Sequence, residues 1–130
     1  MHIASLADAT DEIWRDGVRT RMLVSARTGA ATLCLFEQWM APGAGAPTHH
    51  HAVEEILTVV GGEAEAWIGA ERARLAGGQT LLVPAGAAHG FTNTGTGTLH
   101  VRAVLAAAVF EARYGGTAAP VRRWLPLPET

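Results

Sequence analysis

The sequence predicts an all-β protein, a sandwich or barrel of short strands. Three observations carry that prediction. Short apolar runs rich in β-branched and aromatic side chains recur along the chain. Glycine pairs and Gly/Pro clusters separate them at near-regular spacing. No strand–helix alternation intervenes, which speaks against a parallel α/β arrangement. The chain has 130 residues, which suits one domain, and 48% of them are apolar, enough to bury a core.

The elements follow in order. Residues 5–16 read as a short helix or an irregular arm, with Thr10 capping DEIWR and Gly17 ending it. VRTRMLVS (18–25) alternates weakly, and TLCLFEQWM (32–40) is rich in strand formers. APGAGAP (41–47) is a loop by composition. EILTVV (55–60) is a strand turned by Gly61-Gly62. EAEAWIG (63–69) alternates acid with apolar, and ERARL (71–75) is its hairpin partner. Gly77-Gly78 turns the chain into TLLVP (80–84), a buried-looking strand. AGAAH is a turn and GFTN leads into a loop. LHVRAVLAAAVF (99–110) is a long last strand, chosen over helix for its β-branched residues, and the tail from 115 is extended. This gives an N-terminal arm at 1–17, a barrel at 18–112 and a C-terminal arm at 113–130.

Composition excludes several functions. The formal net charge is −2, and no basic run exists beyond Arg122-Arg123, so nucleic acid has no electrostatic footprint to bind. All ten cationic side chains are arginine, which removes Schiff-base and lysine-base chemistry. The single Cys34 cannot form an internal disulfide and reads as a small buried hydrophobe. The N-terminus carries acids early and lacks an apolar signal core. No apolar stretch approaches the roughly 18 residues of a membrane span. The expectation is a cytoplasmic protein without membrane or nucleic-acid partners.

PTHHHAVEE (47–55) holds the chemistry. If it is extended, His49 and His51 point to one face and Glu55 continues their parity. His50 and Glu54 fall on the other face, as surface or loop residues. A polar histidine loop is the plain alternative, and His89, taken alone, reads as a core histidine. The spacings argue otherwise. Gly43, five residues, His49, one, His51, three, Glu55, six, Gly62 forms one pattern. Gly78, five residues, Pro84, Ala85, Gly86, two, His89, three, Asn93 forms another. Together they resemble the paired motifs of the cupin superfamily, G-x5-H-x-H-x3,4-E-x6-G and G-x5-P-x-G-x2-H-x3-N, with every signature residue in place. The resemblance covers about residues 32–110 and implies a jelly-roll (double-stranded β-helix) barrel.

It also implies that His49, His51, Glu55 and His89 hold one divalent transition metal ion per chain: iron, manganese, nickel, zinc or copper. Imidazole and carboxylate suit such ions without a thiolate. Four protein ligands leave places for water, substrate or dioxygen on an ion preferring five or six. Glu55 is the candidate general base, as its counterpart is thought to be in flavonol-cleaving cupins. Pro84 and Gly86 turn the chain to aim His89, and Asn93 serves the turn or barrel packing.

Strand parity nominates pocket residues. Phe91 shares the parity of His89, and Leu57 and Val59 share that of Glu55. His100 and Arg102 share one face of the last strand. Turned inward they would offer a substrate carboxylate or enolate a cation; the alternative faces them to solvent and turns Leu99, Val101 and Ala103 inward. On the 32–40 strand, Phe36, Gln38 and Met40 oppose Leu35, Glu37 and Trp39, and either set fits the interior.

The expected function is an enzyme on a small oxygen-bearing metabolite, enolisable or a carboxylate, with dioxygenase ranked first. Metal-dependent isomerase, lyase or cyclase chemistry follows, then a non-catalytic small-molecule-binding module. The arms carry Ile3, Leu6, Ile13, Trp14, Trp124, Leu125 and Leu127, which need cover. They are expected to pack on a neighbour's barrel or across their own sheet, and the resemblance implies a homodimer.

Overall fold

The computed structural model describes residues 1–116 and 119–128. Twelve strands account for its regular structure: β1 (Glu12–Arg15), β2 (Val18–Val24), β3 (Cys34–Met40), β4 (Gly45–His49), β5 (Glu55–Gly61), β6 (Glu63–Ile68), β7 (Glu71–Ala76), β8 (Thr80–Val83), β9 (His89–Asn93), β10 (Leu99–Leu105), β11 (Phe110–Ala112) and β12 (Val121–Arg123). Six form one sheet in the order β1-β2-β3-β10-β5-β8, and four form the facing sheet, β4-β9-β6-β7. All pairings are antiparallel. A ribbon of β11 and β12 completes the structure. The non-consecutive order makes the chain cross repeatedly between sheets, as a jelly-roll barrel requires.

The core lies between the sheets. β10 sends Leu99, Val101, Ala103 and Leu105 inward, and β3 sends Phe36, Gln38 and Met40. These residues alternate with outward His100, Arg102, Glu37 and Trp39, which is the period-two signature of a sheet with one packed face. Gly90 on β9 lets the strands meet. A Cβ there would lie 2.5 Å from the Trp67 ring and 2.6 Å from the Ala46 carbonyl oxygen.

Several expectations change. Residues 12–15 form a strand and not a helix; β1 pairs with β2 through a bulge, while Leu6–Asp8 makes only a 3-10 turn. The 41–47 loop is shorter than its composition implies, because Gly45 already begins β4 and lies against the backbone of β9, where a Cβ would sit 2.0 Å from the Phe91 oxygen. GFTN is strand β9, with its NH and CO groups paired on both sides. β8 is an edge strand, so Leu82 is exposed despite its apolar setting. The long last strand breaks at 106–109, where the alanines bend the chain from β10 into β11.

Both arms cover their own barrel. Trp14 and Trp124 pack with Phe36 and Phe110, all ring centroids 4.8 to 5.8 Å apart. Ile3, Ile13, Leu125 and Leu127 remain exposed. Within the expected C-terminal arm, residues 117–118 and 129–130 lie outside the described residues. No helix among the described residues is long and apolar enough to cross a membrane.

Candidate metal centre

The four signature residues meet at one end of the barrel. His49 ends β4 and His89 begins β9, and the two are register partners, with ring centroids 4.2 Å apart. His51 follows in the connecting segment. That segment is pinned because His50 and Arg113 exchange both backbone hydrogen bonds at 3.1 Å. Glu55 opens β5 in the other sheet. It therefore reaches the site across the barrel and not by continuing the parity of one extended strand. Gly86, in a left-handed turn (φ 78°), donates its N–H to the His51 carbonyl at 2.7 Å. The turn before β9 is thereby tied to the segment carrying the first motif.

The hydrogen bonds of the histidines set their chemistry. His49 Nδ1 donates to the Pro47 carbonyl at 2.7 Å, His51 Nδ1 to Glu111 at 2.7 Å, and His89 Nδ1 to Ala87 at 2.8 Å. With Nδ1 carrying the proton, each neutral ring presents a lone pair at Nε2, and the carbonyls hold its orientation. One ligand atom from each histidine and from Glu55 all lie within 4.8 Å of one another, and all four residues are buried. His51 Nε2 is buried without any hydrogen-bond partner, a costly state for a lone pair. Glu55 stands 3.1 Å from His89 Nε2 and 3.7 Å from His51 Nε2. Without metal a proton on His89 Nε2 bridges that pair, and a divalent ion would replace that proton. The donor set thus fits a divalent metal.

Burial sets the charge states of the rings. Desolvation, with neighbouring His89, pushes His49 down to about 3, and desolvation also lowers His51. At His89 burial acts in the same sense, but the hydrogen bond and charge of Glu55 outweigh it and the pKa is raised. Two rings are thereby kept neutral, the form that ligates metal.

A cavity opens onto His49 and Glu55. It has about 20 Å³ of room for the centre of a water molecule, enough for one or two waters. Its walls are mostly apolar: Phe36, Leu57, Phe91, Ala103 and Phe110, with Trp14 from β1. Of the residues nominated by parity, Phe91 and Leu57 line it. Val59 is fully buried but packs in the core away from the cavity. His100 and Arg102 do not reach it either. They lie on the outer face of β10 and engage Glu37, because the inner face is filled by Leu99, Val101 and Ala103.

Three polar lining residues escaped the sequence reading. Gln38 donates to the Thr20 hydroxyl at 2.9 Å. Arg15 donates to the Gly45 carbonyl and to the Tyr114 hydroxyl, both at 3.0 Å. The Tyr114 ring lies 5.3 Å from that of His49. Parity grouped Gln38 with Phe36 but left open which set faces inward. For Arg15 and Tyr114 no local signal existed, since they meet across 99 positions.

The comparisons agree with this geometry. A family model described as "Cupin domain" matches residues 36–106. The structure is similar to the polyketide cyclase RemF from Streptomyces resistomycificus, with a TM-score of 0.72 and 23% identity over 81% of this chain and 78% of that one. It is similar to an RmlC-like cupin from Shewanella frigidimarina, at 0.73 and 20% over 83% and 92%. It also matches an oxalate decarboxylase variant from Bacillus subtilis, at 0.73 and 19% over 85% of this chain but 31% of that one. No curated protein matches the sequence.

Proposed function

From the premise that this chain belongs to the cupin domain family, we propose that it is a mononuclear, divalent-metal-dependent enzyme acting on a small oxygen-bearing molecule, enolisable or a carboxylate. One observation carries the reading. Three Nδ1–H groups are committed to backbone carbonyls, so three Nε2 lone pairs converge with Glu55 on one point, and one of them is buried with no partner. His49, His51, His89 and Glu55 hold the ion. When bound, it supplies Lewis acidity to a substrate oxygen and stabilises enolate-like charge.

The protein does the rest. Phe36, Phe91, Phe110 and Leu57 wall the site and limit the water that reaches it. Glu55 lines the cavity, so its carboxylate is placed to hold a proton taken from substrate.

Dioxygen uptake is the first reaction to test. Cyclase or decarboxylase chemistry is the second reading, favoured by fold neighbours named as a polyketide cyclase and an oxalate decarboxylase. Elemental analysis of untagged protein is expected to find near one equivalent of metal. An oxygen electrode and absorbance over a panel of enolisable compounds then separate the two readings. Silence in both, with tight calorimetric binding of a panel compound, would instead make the chain a binding module. Absence of metal, with none gained on soaking, would overturn the proposal.

A homodimer belongs to the same proposal. Ile56 and Val60 on β5 and Leu82 on β8 form an exposed apolar strip on the outer sheet face. A monomeric mass at micromolar concentration would remove it.

A further inference from the structure

Arg15 stands out among the charged groups of this cavity. Its guanidinium is fixed by two neutral acceptors, the Gly45 carbonyl and the Tyr114 hydroxyl. Those bonds occupy one N–H on each terminal nitrogen, so three of its five donors are uncommitted to them. Among the described residues, no ion pair engages it, although eight other arginine or histidine residues each pair with an acid. A cation that lines a largely apolar cavity without a counter-ion is poorly compensated. A second donor is in the same state: Trp14, the neighbouring cavity residue, has its indole nitrogen buried with no hydrogen-bond partner. The position of Arg15 relative to the metal centre is also fixed. It is hydrogen-bonded to Tyr114, whose ring lies 5.3 Å from that of His49, and all three line the one cavity.

We propose that Arg15 is the substrate-recognition residue of this cavity, and that it selects a small anion, a carboxylate or enolate of a few heavy atoms. The proposal rests on the metal-enzyme reading and deepens it by naming the substrate class. A planar guanidinium offers paired N–H donors matched to a carboxylate. Phe36, Phe91 and Phe110 wall the rest of the cavity, which admits only a small anion. The anionic group then lies within one enclosure with a cation on the β1 side and His49 and Glu55 of the candidate metal cluster on the other. The short arm β1 is thus part of the binding site as well as a cover for the barrel.

The test uses simple probes: formate and acetate, each against its amide, titrated by calorimetry and by tryptophan fluorescence. Both are run on zinc-loaded and on metal-free protein, because a carboxylate can also bind zinc directly. Wild type is expected to bind at least one carboxylate, with its amide at least tenfold weaker, in both forms. Arg15→Gln should weaken the carboxylate at least tenfold in both forms, and Arg15→Lys should restore part of the loss. Tyr114→Phe removes the hydroxyl anchor but keeps the cation, and should change affinity less than threefold. Thermal unfolding checks that each variant is folded. If no carboxylate binds the metal-free protein, the proposal fails. It also fails if Arg15→Gln binds like wild type, or if Tyr114→Phe loses as much as Arg15→Gln, which would make Arg15 a latch for the arm. Failure of the metal reading shows separately, as absence of zinc in the loaded wild-type protein.

Discussion

Two buried glutamates lie on opposite faces of the larger sheet, and each meets a histidine. Glu55, 6% exposed, faces inward with His51 and His89. Glu37, 3% exposed, faces outward under His100 and Arg102. By burial and partner type they look alike. They differ in what surrounds the pair. Around Glu37 the donors are cations: Arg102 pairs with it, and Arg19 stacks on the neighbouring Trp39, itself stacked on His100 at 4.8 Å. Every group there has a partner of opposite character, and nothing is left over for a ligand. Around Glu55 the neighbours are lone pairs, held in place by backbone carbonyls, one of them unpartnered. A buried Glu–His contact is therefore not a site by itself. Convergent acceptors with too few donors make one.

The largest test of that contrast is metal content. His51→Ala is expected to weaken metal binding by more than about 100-fold, since even residues behind the ligands cost 10- to 100-fold in such sites. His100→Ala should leave one equivalent in place. Elemental analysis of both variants after zinc loading decides it, and equal metal in the two would erase the distinction drawn between the faces.

Stability should reverse the ranking. Glu37→Gln removes the carboxylate that His100 and Arg102 share, at a cost of about 1–3 kcal/mol. Its metal stoichiometry should be that of wild type. Denaturant unfolding with a parallel zinc titration measures both, and a change in zinc content would show that the outer cluster supports the inner one.

Acidification tests the inner face alone. Folding holds His49 near 3 against about 6.5 in the unfolded chain, chiefly through desolvation. The unfolded state therefore takes up a proton that the native state refuses, and the stability due to His49 is full above pH 6.5 and lost as pH falls toward 3. His89 has the opposite sign, because its raised pKa favours the folded state below its unfolded value. Metal-free wild type compared with His49→Gln isolates the first effect. The variant's thermal midpoint should fall less steeply between pH 6.5 and 4, and parallel slopes would refute the assignment.

How much of this was legible depends on whether information was local. Alternation gave most strands, and the two motifs gave all four residues of the buried cluster that could hold a metal, because short spacings along the chain fix them. Loop composition misled at 41–47, since Gly45 is there for close strand contact and not for a turn. Parity left two faces of β10 open, and only the packed barrel shows that Val101 and Ala103 fill the inside and turn His100 and Arg102 out. Arg15 and Tyr114 were invisible for a different reason. Their meeting depends on both arms folding back over the barrel mouth, which no local pattern encodes.

The smallest expected effect sharpens the outer cluster. Arg102 pairs with Glu37 at 3.4 Å, but its side chain is 46% exposed, whereas His100 is 24% exposed and closer to the carboxylate. Screening by water limits what an exposed arginine contributes, so Arg102→Gln should cost no more than about 1 kcal/mol. The replacement keeps a donor and much of the aliphatic stem, which covers the sheet face. His100→Gln should cost more, because the stacked Trp39 loses its partner as well as Glu37. A double-mutant cycle of Glu37→Gln with each variant separates the two contributions. If coupling to Arg102 exceeds coupling to His100, the outer cluster is held by its charge pair and not by the ring wedged between Trp39 and the carboxylate.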